Sequence, residues 1–97
     1  MPKAYWVTVY RSISDPKKVE AYAKLAPPAT MQFGARYIAR GTAAEAFEAG
    51  QKERIVISEF PSLEKAIAAY KSPDYQKALQ ALGDGAVRDI RIIEAAE

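Results

Sequence analysis

The sequence predicts an α+β fold in which strands and helices alternate along a chain of 97 residues. Four short segments are rich in β-branched and aromatic residues, which favour strands. The segments between them place apolar residues at helical spacing, behind residues that start helices well. A chain of this length suits one domain, residues 1–97, whose core is thin enough that association with another chain would help to bury apolar surface.

The four strands are predicted from runs that alternate between two faces. They read YWVTVYR, ARYIARG, RIVISEF and VRDIRIIE, at residues 5–11, 35–41, 54–60 and 87–94. Pro61 ends the third run, because proline has no N–H to give to a strand ladder.

The first helix is predicted to begin at Asp15 and Pro16, because aspartate caps helices well and proline suits the first helical position. Pro27 and Pro28 are expected to end or kink this helix before Gly34.

The second helical segment is predicted to begin at Ser62 and to be interrupted by Pro73. Ser72 can cap a new helix there, with proline at its first position. Between the second and third strands, Thr42 and Glu45 match a capping box, so a helical turn is expected in that connection as well.

The predicted order is strand, helix, strand, strand, helix, strand. This is the ferredoxin-like βαββαβ pattern, an antiparallel four-stranded sheet with two helices on one face.

The second face of the sheet also carries apolar residues. The first strand presents Trp6 and Tyr10 on one side and Tyr5, Val7 and Val9 on the other. Exposed apolar patches larger than roughly a few hundred Å² are rare on monomers. We therefore predict a homodimer that packs sheet to sheet. The alternative is a weakly soluble monomer with scattered surface aromatics.

The composition excludes several kinds of site. The chain has no histidine and no cysteine, which removes disulfides, thiolate chemistry and the commonest metal ligands, so no metal and no cofactor is expected. The net charge of +2 is small and dispersed, and gives no reason to expect a nucleic-acid or membrane partner. The N-terminal sequence predicts neither a signal peptide nor a membrane span, so we expect a cytoplasmic protein.

Glu59 is a candidate catalytic residue at the end of the third strand. Phe60 leads directly into a helix, so by alternation Glu59 points to the opposite face, toward a cavity of the dimer. Burial without a partner would make this carboxylate a candidate general base, whereas an arginine would keep it ionised. The alternative is a salt bridge at the sheet edge without a chemical role.

Arg40 is the second candidate catalytic residue, at the end of the strand that neighbours the third. We expect it to share a face with Arg36 and Ile38. It is expected to pair with Glu59, or to hold the carboxylate or enolate of a small ligand through its planar guanidinium. The alternative is an exposed or structural arginine.

Four aromatic residues, Trp6, Tyr22, Tyr70 and Tyr75, are candidates for ligand binding. The alternative for the three tyrosines is core packing, which is the usual meaning of an apolar helical stripe. Ser72 is interpreted as a helix cap, since no histidine is present to activate its hydroxyl.

Three segments, ARYIARG, ISEFPS and AAYKSPDYQ, resemble motifs of the family called domain of unknown function thirteen-thirty, in the dimeric α/β-barrel superfamily. The resemblance spans nearly the whole chain. It implies a ferredoxin-like chain that pairs with a second copy into a barrel. Relatives in the superfamily include cofactor-free monooxygenases, lactone isomerases, haem-handling enzymes and stress-responsive binding proteins, so the resemblance implies the fold more than the function.

The chain departs from the family pattern at three places. Ala49 separates Glu48 from Gly50, which form a Glu-Gly pair in the family. Ala69 stands where the family usually has a tryptophan. The family's arginine late in the second helix has no counterpart in QALGDGAV, which contains the loop of residues 82–86.

These features predict a homodimer that binds a small acidic or enolisable organic molecule in a cavity between sheet and helices. Two hypotheses follow. The first is an enzyme for cofactor-independent proton transfer or oxygenation, with Glu59 as base or orienter and Arg40 as anion anchor. The second is a non-catalytic ligand-binding or stress-associated dimer.

Overall fold

One antiparallel sheet carries the helices on one of its faces, in a computed structural model that describes residues 2–96. The elements in chain order are β1 (Ala4–Ile13), α1 (Pro16–Met31), β2 (Arg36–Thr42), β3 (Arg54–Phe60), α2 (Leu63–Lys71), α3 (Pro73–Leu82) and β4 (Ala86–Glu94). The strand order in the sheet is β2-β3-β1-β4. The predicted ferredoxin-like α+β fold is confirmed. None of the helices formed by residues 2–96 combines the length and apolarity that crossing a bilayer requires.

Helix α1 continues through Pro27 and Pro28 and ends only at Met31. The prediction offered an end or a kink at the two prolines before Gly34. The helix does end before Gly34, but it does not end at the prolines. Each proline leaves the carbonyl four residues earlier without its helical N–H partner. These carbonyls belong to Ala23 and Lys24, which are both exposed, so water can satisfy them at little cost.

The predicted interruption of the second helical segment is confirmed at Ser72. Its hydroxyl donates to the carbonyl of Ala69 at 2.8 Å and accepts from the backbone N–H of Tyr75 at 3.2 Å. Pro73 takes the first position of α3. One buried serine therefore closes α2 and opens α3, and it sets where the side chain of Tyr75 enters the core.

The connection between β2 and β3 forms no helical turn, so that prediction was wrong. Thr42 pairs with Arg54 as the last residue of β2, and the N–H of Ala43 donates to the carbonyl of Glu53 at 3.0 Å. Pairing with the third strand therefore continues through Ala43, which would have been the first residue of the predicted helical turn. The chain reverses instead through a turn in which Glu48 has a φ of 54°.

The helix-bearing face of the sheet is packed around Trp6. Its ring centroid lies 5.8 Å from that of Phe60, 5.6 Å from Tyr70 and 5.1 Å from Tyr75. Small residues of the helices, including Ala66 and Ala69, fit closely around these rings and are fully buried. The aromatic cluster therefore holds α2 and α3 on the sheet.

The opposite face, which we call the open face, has an apolar centre between β1 and β3. Val7 pairs with Ile57 and Val9 with Ile55. On β4, Ile93 is 63% exposed. In residues 2–96 the helices pack on the other side of the sheet, so this apolar surface has no cover within the described part of the chain.

A β-bulge interrupts the pairing of β2 with β3. Tyr37 lies opposite Ser58, but Ala39 lies opposite Ile57, so Ile38 is an extra residue in β2. An extra residue reverses the faces of all the side chains that follow it. Even-numbered residues of β2 before Ile38 therefore face the open side of the sheet, whereas even-numbered residues after it face the helices.

We predict that Ser72→Ala lowers the free energy of unfolding by about 1–2 kcal/mol, because it removes the cap of α3 and the shorter of the two hydrogen bonds to the Ala69 carbonyl, which keeps only the backbone N–H of residue 72. Urea unfolding of the wild type and the variant measures the difference. Ser62→Ala is the matched control, since the Ser62 hydroxyl caps only α2, through the N–H of Lys65. A loss below about 0.5 kcal/mol for Ser72→Ala would contradict the structural role assigned to Ser72.

Candidate functional site

A cleft lies between α1 and the helix-bearing face of the sheet, on the side of β2 and β3. Its aromatic walls come from β1, α1, β2 and α3 and consist of Trp6, Tyr10, Tyr22, Tyr37 and Tyr75. The cleft has a volume of about 40 Å³. This space holds a few water molecules, so a ligand must extend through the mouth or displace α1.

The structure brings four of the six predicted site residues together. Trp6, Tyr22, Tyr75 and Arg40 all line the cleft. Tyr70 does not line it, because its ring lies behind those of Trp6 and Tyr75 in the core. Glu59 is not in the cleft either.

Glu59 lies on the open face, away from the helices, as the alternation of β3 predicted. It accepts hydrogen bonds from Arg36 Nη2 at 3.2 Å and from the Tyr5 hydroxyl at 3.3 Å. Lys3 Nζ lies 3.6 Å from the same carboxylate, whose side chain is 14% exposed. The expected pairing of Glu59 with Arg40 was therefore wrong, and Arg36 takes that place.

The bulge at Ile38 places Arg40 on the opposite face of the sheet from Glu59. Arg36 lies opposite Glu59, whereas Arg40 lies opposite Val56 on the helix-bearing face. The expectation that Arg36 and Arg40 share a face assumed an unbroken alternation along β2. One extra residue places the two arginines on opposite sides of the sheet.

Arg40 and Arg54 make the edge of the cleft at β2 and β3 positively charged. The Arg40 guanidinium carbon lies 4.9 Å from the centroid of the Tyr37 ring, a cation–π contact that holds it beside the cleft. The Tyr37 hydroxyl is in turn 2.9 Å from that of Thr30 on α1. Within residues 2–96, neither Arg40 nor Arg54 forms a salt bridge, so both guanidinium groups remain available to an anion.

Two tyrosine hydroxyls meet at the opposite end of the cleft. The hydroxyl oxygens of Tyr22 and Tyr75 are 2.6 Å apart, and the two rings contact edge to face. Burial raises the pKa of Tyr75, and the neighbouring Tyr22 raises it further. Burial also raises the pKa of Tyr22, although the positive charge of Arg88 opposes this. Both hydroxyls therefore stay protonated at neutral pH and act as hydrogen-bond donors.

Arg88 is the residue of this region that the sequence reasoning missed. Its guanidinium carbon lies 4.5 Å from the ring centroid of Tyr22 and 5.6 Å from that of Tyr10. Burial lowers its pKa, but Tyr22 and Tyr75 more than offset that effect, so it stays charged. A signal was present, because Arg88 shares its strand face with Ile90 and Ile92, where an arginine is unexpected.

The cleft can bind an anion or an oxygen acceptor but lacks an obvious proton acceptor. The charged residues that line it are arginines, and the described lining contains no carboxylate and no lysine. Residues 2–96 also contain no group of three or more acidic, histidine or cysteine side chains that could hold a metal ion. Its chemistry is therefore that of donors and positive charge beside aromatic surfaces.

Comparison with known families agrees with this architecture. Residues 3–96 match the family described as Domain of unknown function (DUF1330). The chain belongs to this family. No protein with a curated description matches the DUF1330 chain.

Solved structures similar to the DUF1330 chain share its fold at low sequence identity. A protein of unknown function from Rhodopseudomonas palustris has a TM-score of 0.73 at 17% identity, covering 97% of this chain and 81% of its own. SnoaB, a cofactor-independent oxygenase from Streptomyces nogalater, has a TM-score of 0.65 at 10% identity, covering 100% and 96%. A dimeric ferredoxin-like protein of unknown function from Thermobifida fusca has a TM-score of 0.65 at 19% identity, covering 99% and 92%. At these identities the likeness shows the fold alone.

We predict that Tyr75 makes the protein sensitive to alkali. Its pKa in the folded chain is raised above the ordinary value of 10.0, so above pH 10 the unfolded chain loses this proton before the folded chain does. The stability that Tyr75 contributes is complete below pH 10 and is lost progressively above it. Urea unfolding on both sides of pH 10 should show a steeper fall for the wild type than for Tyr75→Phe. Equal falls would contradict a buried, protonated Tyr75.

Proposed function

We propose that the cleft binds a small, flat organic molecule that carries an acidic or enolisable group. The observation that supports this most directly is the composition of the lining, in which aromatic rings surround the space and Arg40 and Arg54 stand at one edge without acidic partners among the described residues. Aromatic walls favour a planar ligand, and arginine favours a carboxylate or enolate oxygen. Trp6, Tyr22 and Tyr75 are the proposed aromatic contacts.

The cleft as it stands admits only part of a ligand, so the rest must extend through the mouth unless α1 moves. The volume of about 40 Å³ excludes a large polycyclic molecule unless α1 moves. The exposed carbonyls of α1 near Pro27 and Pro28 lack helical N–H donors, so this part of the helix is held less tightly by its own backbone. This part of α1 is therefore the wall of the cleft that can move most easily when a ligand binds.

Binding can be tested with phenylpyruvate, which is aromatic, acidic and enolisable. Trp6 is the only tryptophan in the chain and lines the cleft, so its fluorescence should report occupation. We predict that Arg40→Gln and Arg54→Gln each weaken binding about tenfold, the effect of losing one charged hydrogen bond. Arg36→Gln is the matched control, because Arg36 lies on the open face.

Unchanged affinity in both cleft variants, or an equal loss in Arg36→Gln, would contradict the proposed site. A search by mass spectrometry for metabolites retained on the purified protein would then name the natural ligand class independently of phenylpyruvate.

We also propose that two chains pair through their open faces. The apolar centre formed by Val7, Val9, Ile55 and Ile57 is bordered by charged groups at one end and along the side formed by β4. One group is Glu59 with its partners, and the other is Asp89, which pairs with Arg11 and Arg91. An apolar centre with a charged rim is the usual composition of a stable interface, which buries about 800 Å² on each partner. Glu59 belongs to this proposed interface rather than to the ligand site.

We predict that the protein sediments as a dimer at micromolar concentration, with twice the chain mass of 10.7 kDa. Ile57→Lys should yield a folded monomer, because it places a charge in the apolar centre of both copies at once. Ile67→Lys is the control, since Ile67 lies on α2 and is 39% exposed. A folded wild-type monomer under these conditions would refute the assembly.

Cofactor-independent oxygenation is a second candidate function, and the fold shared with the oxygenase SnoaB favours it. Because Glu59 lies across the sheet from the cleft, such an enzyme would need a substrate that ionises readily by itself. Oxygen uptake by purified, metal-free protein in the presence of an acidic phenol tests this. No uptake above the rate without protein would leave the non-catalytic binding module as the function.

A further inference from the structure

The two tyrosine hydroxyls at the inner end of the cleft have more hydrogens to donate than acceptors to receive them. Tyr22 and Tyr75 each carry one hydroxyl hydrogen, and their oxygens are 2.6 Å apart, so one hydrogen fills the bond between them. Arg88 is close enough to interact with both hydroxyls, but a guanidinium can only donate, and no other described residue accepts a hydrogen bond from either of them. The second hydrogen is therefore left without an acceptor from the described protein.

Arg88 adds to this excess of donors. Its Nη1 atom is buried and has no hydrogen-bond partner among the described residues. The guanidinium packs over the Tyr22 ring on one side and near the Tyr10 ring on the other. The neighbouring carboxylate on β4, Asp89, faces the opposite side of the sheet and pairs with Arg11 and Arg91. The positive charge at the inner end therefore has no carboxylate to balance it there.

Buried donors without acceptors are costly, and each such group calls for an explanation. Here the three donors belong to side chains from α1, α3 and β4 that meet beside one cleft. A single oxygen atom with negative charge would supply the missing acceptor for the tyrosine hydroxyl and for Arg88 together. This is the arrangement by which proteins stabilise oxyanions.

We infer that Tyr22, Tyr75 and Arg88 form an oxyanion-binding site that receives a phenolate or enolate oxygen of the ligand. This inference rests on the proposed binding function and specifies it further. The hydroxyls and the guanidinium favour the ionised form of the ligand over its neutral form. They are positioned to hold the charge, not to remove the proton.

The position of this site in the sheet also defines the ligand class. Arg40 lies on β2 and Arg88 on β4, at opposite edges of a sheet in which β3 and β1 stand between them. Three strand spacings separate the two backbones by roughly 14 Å. Arg40 lines the cleft, whereas Arg88 packs over the ring of Tyr22, which lines its inner end. The expected ligand therefore has an acidic group at one end, an enolic or phenolic oxygen at the other, and a flat body between them.

Para-nitrophenol tests the oxyanion site, because its ionised form is coloured and its neutral form is not. We expect the wild type to bind the ionised form about tenfold more tightly, as one charged hydrogen bond would give. An absorbance titration against pH, with and without protein, measures this preference. Tyr75→Phe and Arg88→Met should each abolish most of it.

Two controls match these variants. Tyr70→Phe removes a tyrosine hydroxyl outside the cleft, and Arg36→Met removes an arginine from the open face, so both should keep the wild-type preference. Tyr22→Phe provides a milder test if Arg88→Met does not fold, because phenylalanine preserves the ring under the guanidinium. Thermal melts of all the variants identify those that remain folded.

The outcomes separate this inference from the proposed function. If phenylpyruvate binds with the expected dependence on Arg40 and Arg54, but para-nitrophenol fails to bind or binds without preference for its ionised form, the oxyanion site is refuted alone. A preference that survives in Tyr75→Phe, Tyr22→Phe and folded Arg88→Met also refutes it. If neither probe binds, the cleft is not the ligand site and both proposals fail.

Discussion

One extra residue in β2 decides which charged side chains face the cleft. Because Ile38 has no counterpart in β3, Arg36 joins Glu59 on the open face and Arg40 turns toward the helices. A regular strand would have put both arginines on the open face, together with the carboxylate. The bulge instead separates a salt-bridged surface from a cleft whose charged lining residues are arginines. The different chemistry of the two faces depends on this single irregularity.

The aromatic core connects the sheet to the tyrosine end of the cleft. Trp6 contacts Phe60, Tyr70 and Tyr75, and its indole N–H donates to the Thr8 hydroxyl at 2.9 Å, so its polar atom is satisfied inside the protein. Tyr75 enters this cluster directly after the cap at Ser72. The same packing that stabilises the fold therefore places the Tyr75 hydroxyl against that of Tyr22.

Local sequence patterns were enough to predict much of the fold, but they predicted only part of the candidate site. The strands, the recapping at Ser72 and the direction of Glu59 depend on alternation and on short-range hydrogen bonds, which a sequence records. The position of Arg40 could not be predicted, because a bulge is a property of pairing between strands. Arg88 was missed for a related reason, since its importance comes from Tyr22 and Tyr75, which lie far from it in the chain.

The absence of a carboxylate from the described lining of the cleft constrains any reaction there. A protein base would have to be a tyrosine, but burial keeps Tyr22 and Tyr75 protonated at neutral pH. The cleft can still promote chemistry by making a ligand more acidic, since stabilising a negative oxygen lowers the cost of ionising it. Under this arrangement solvent removes the proton and the protein holds the anion. Binding and catalysis would then use the same donors, and the acidity of the ligand would decide between the two functions.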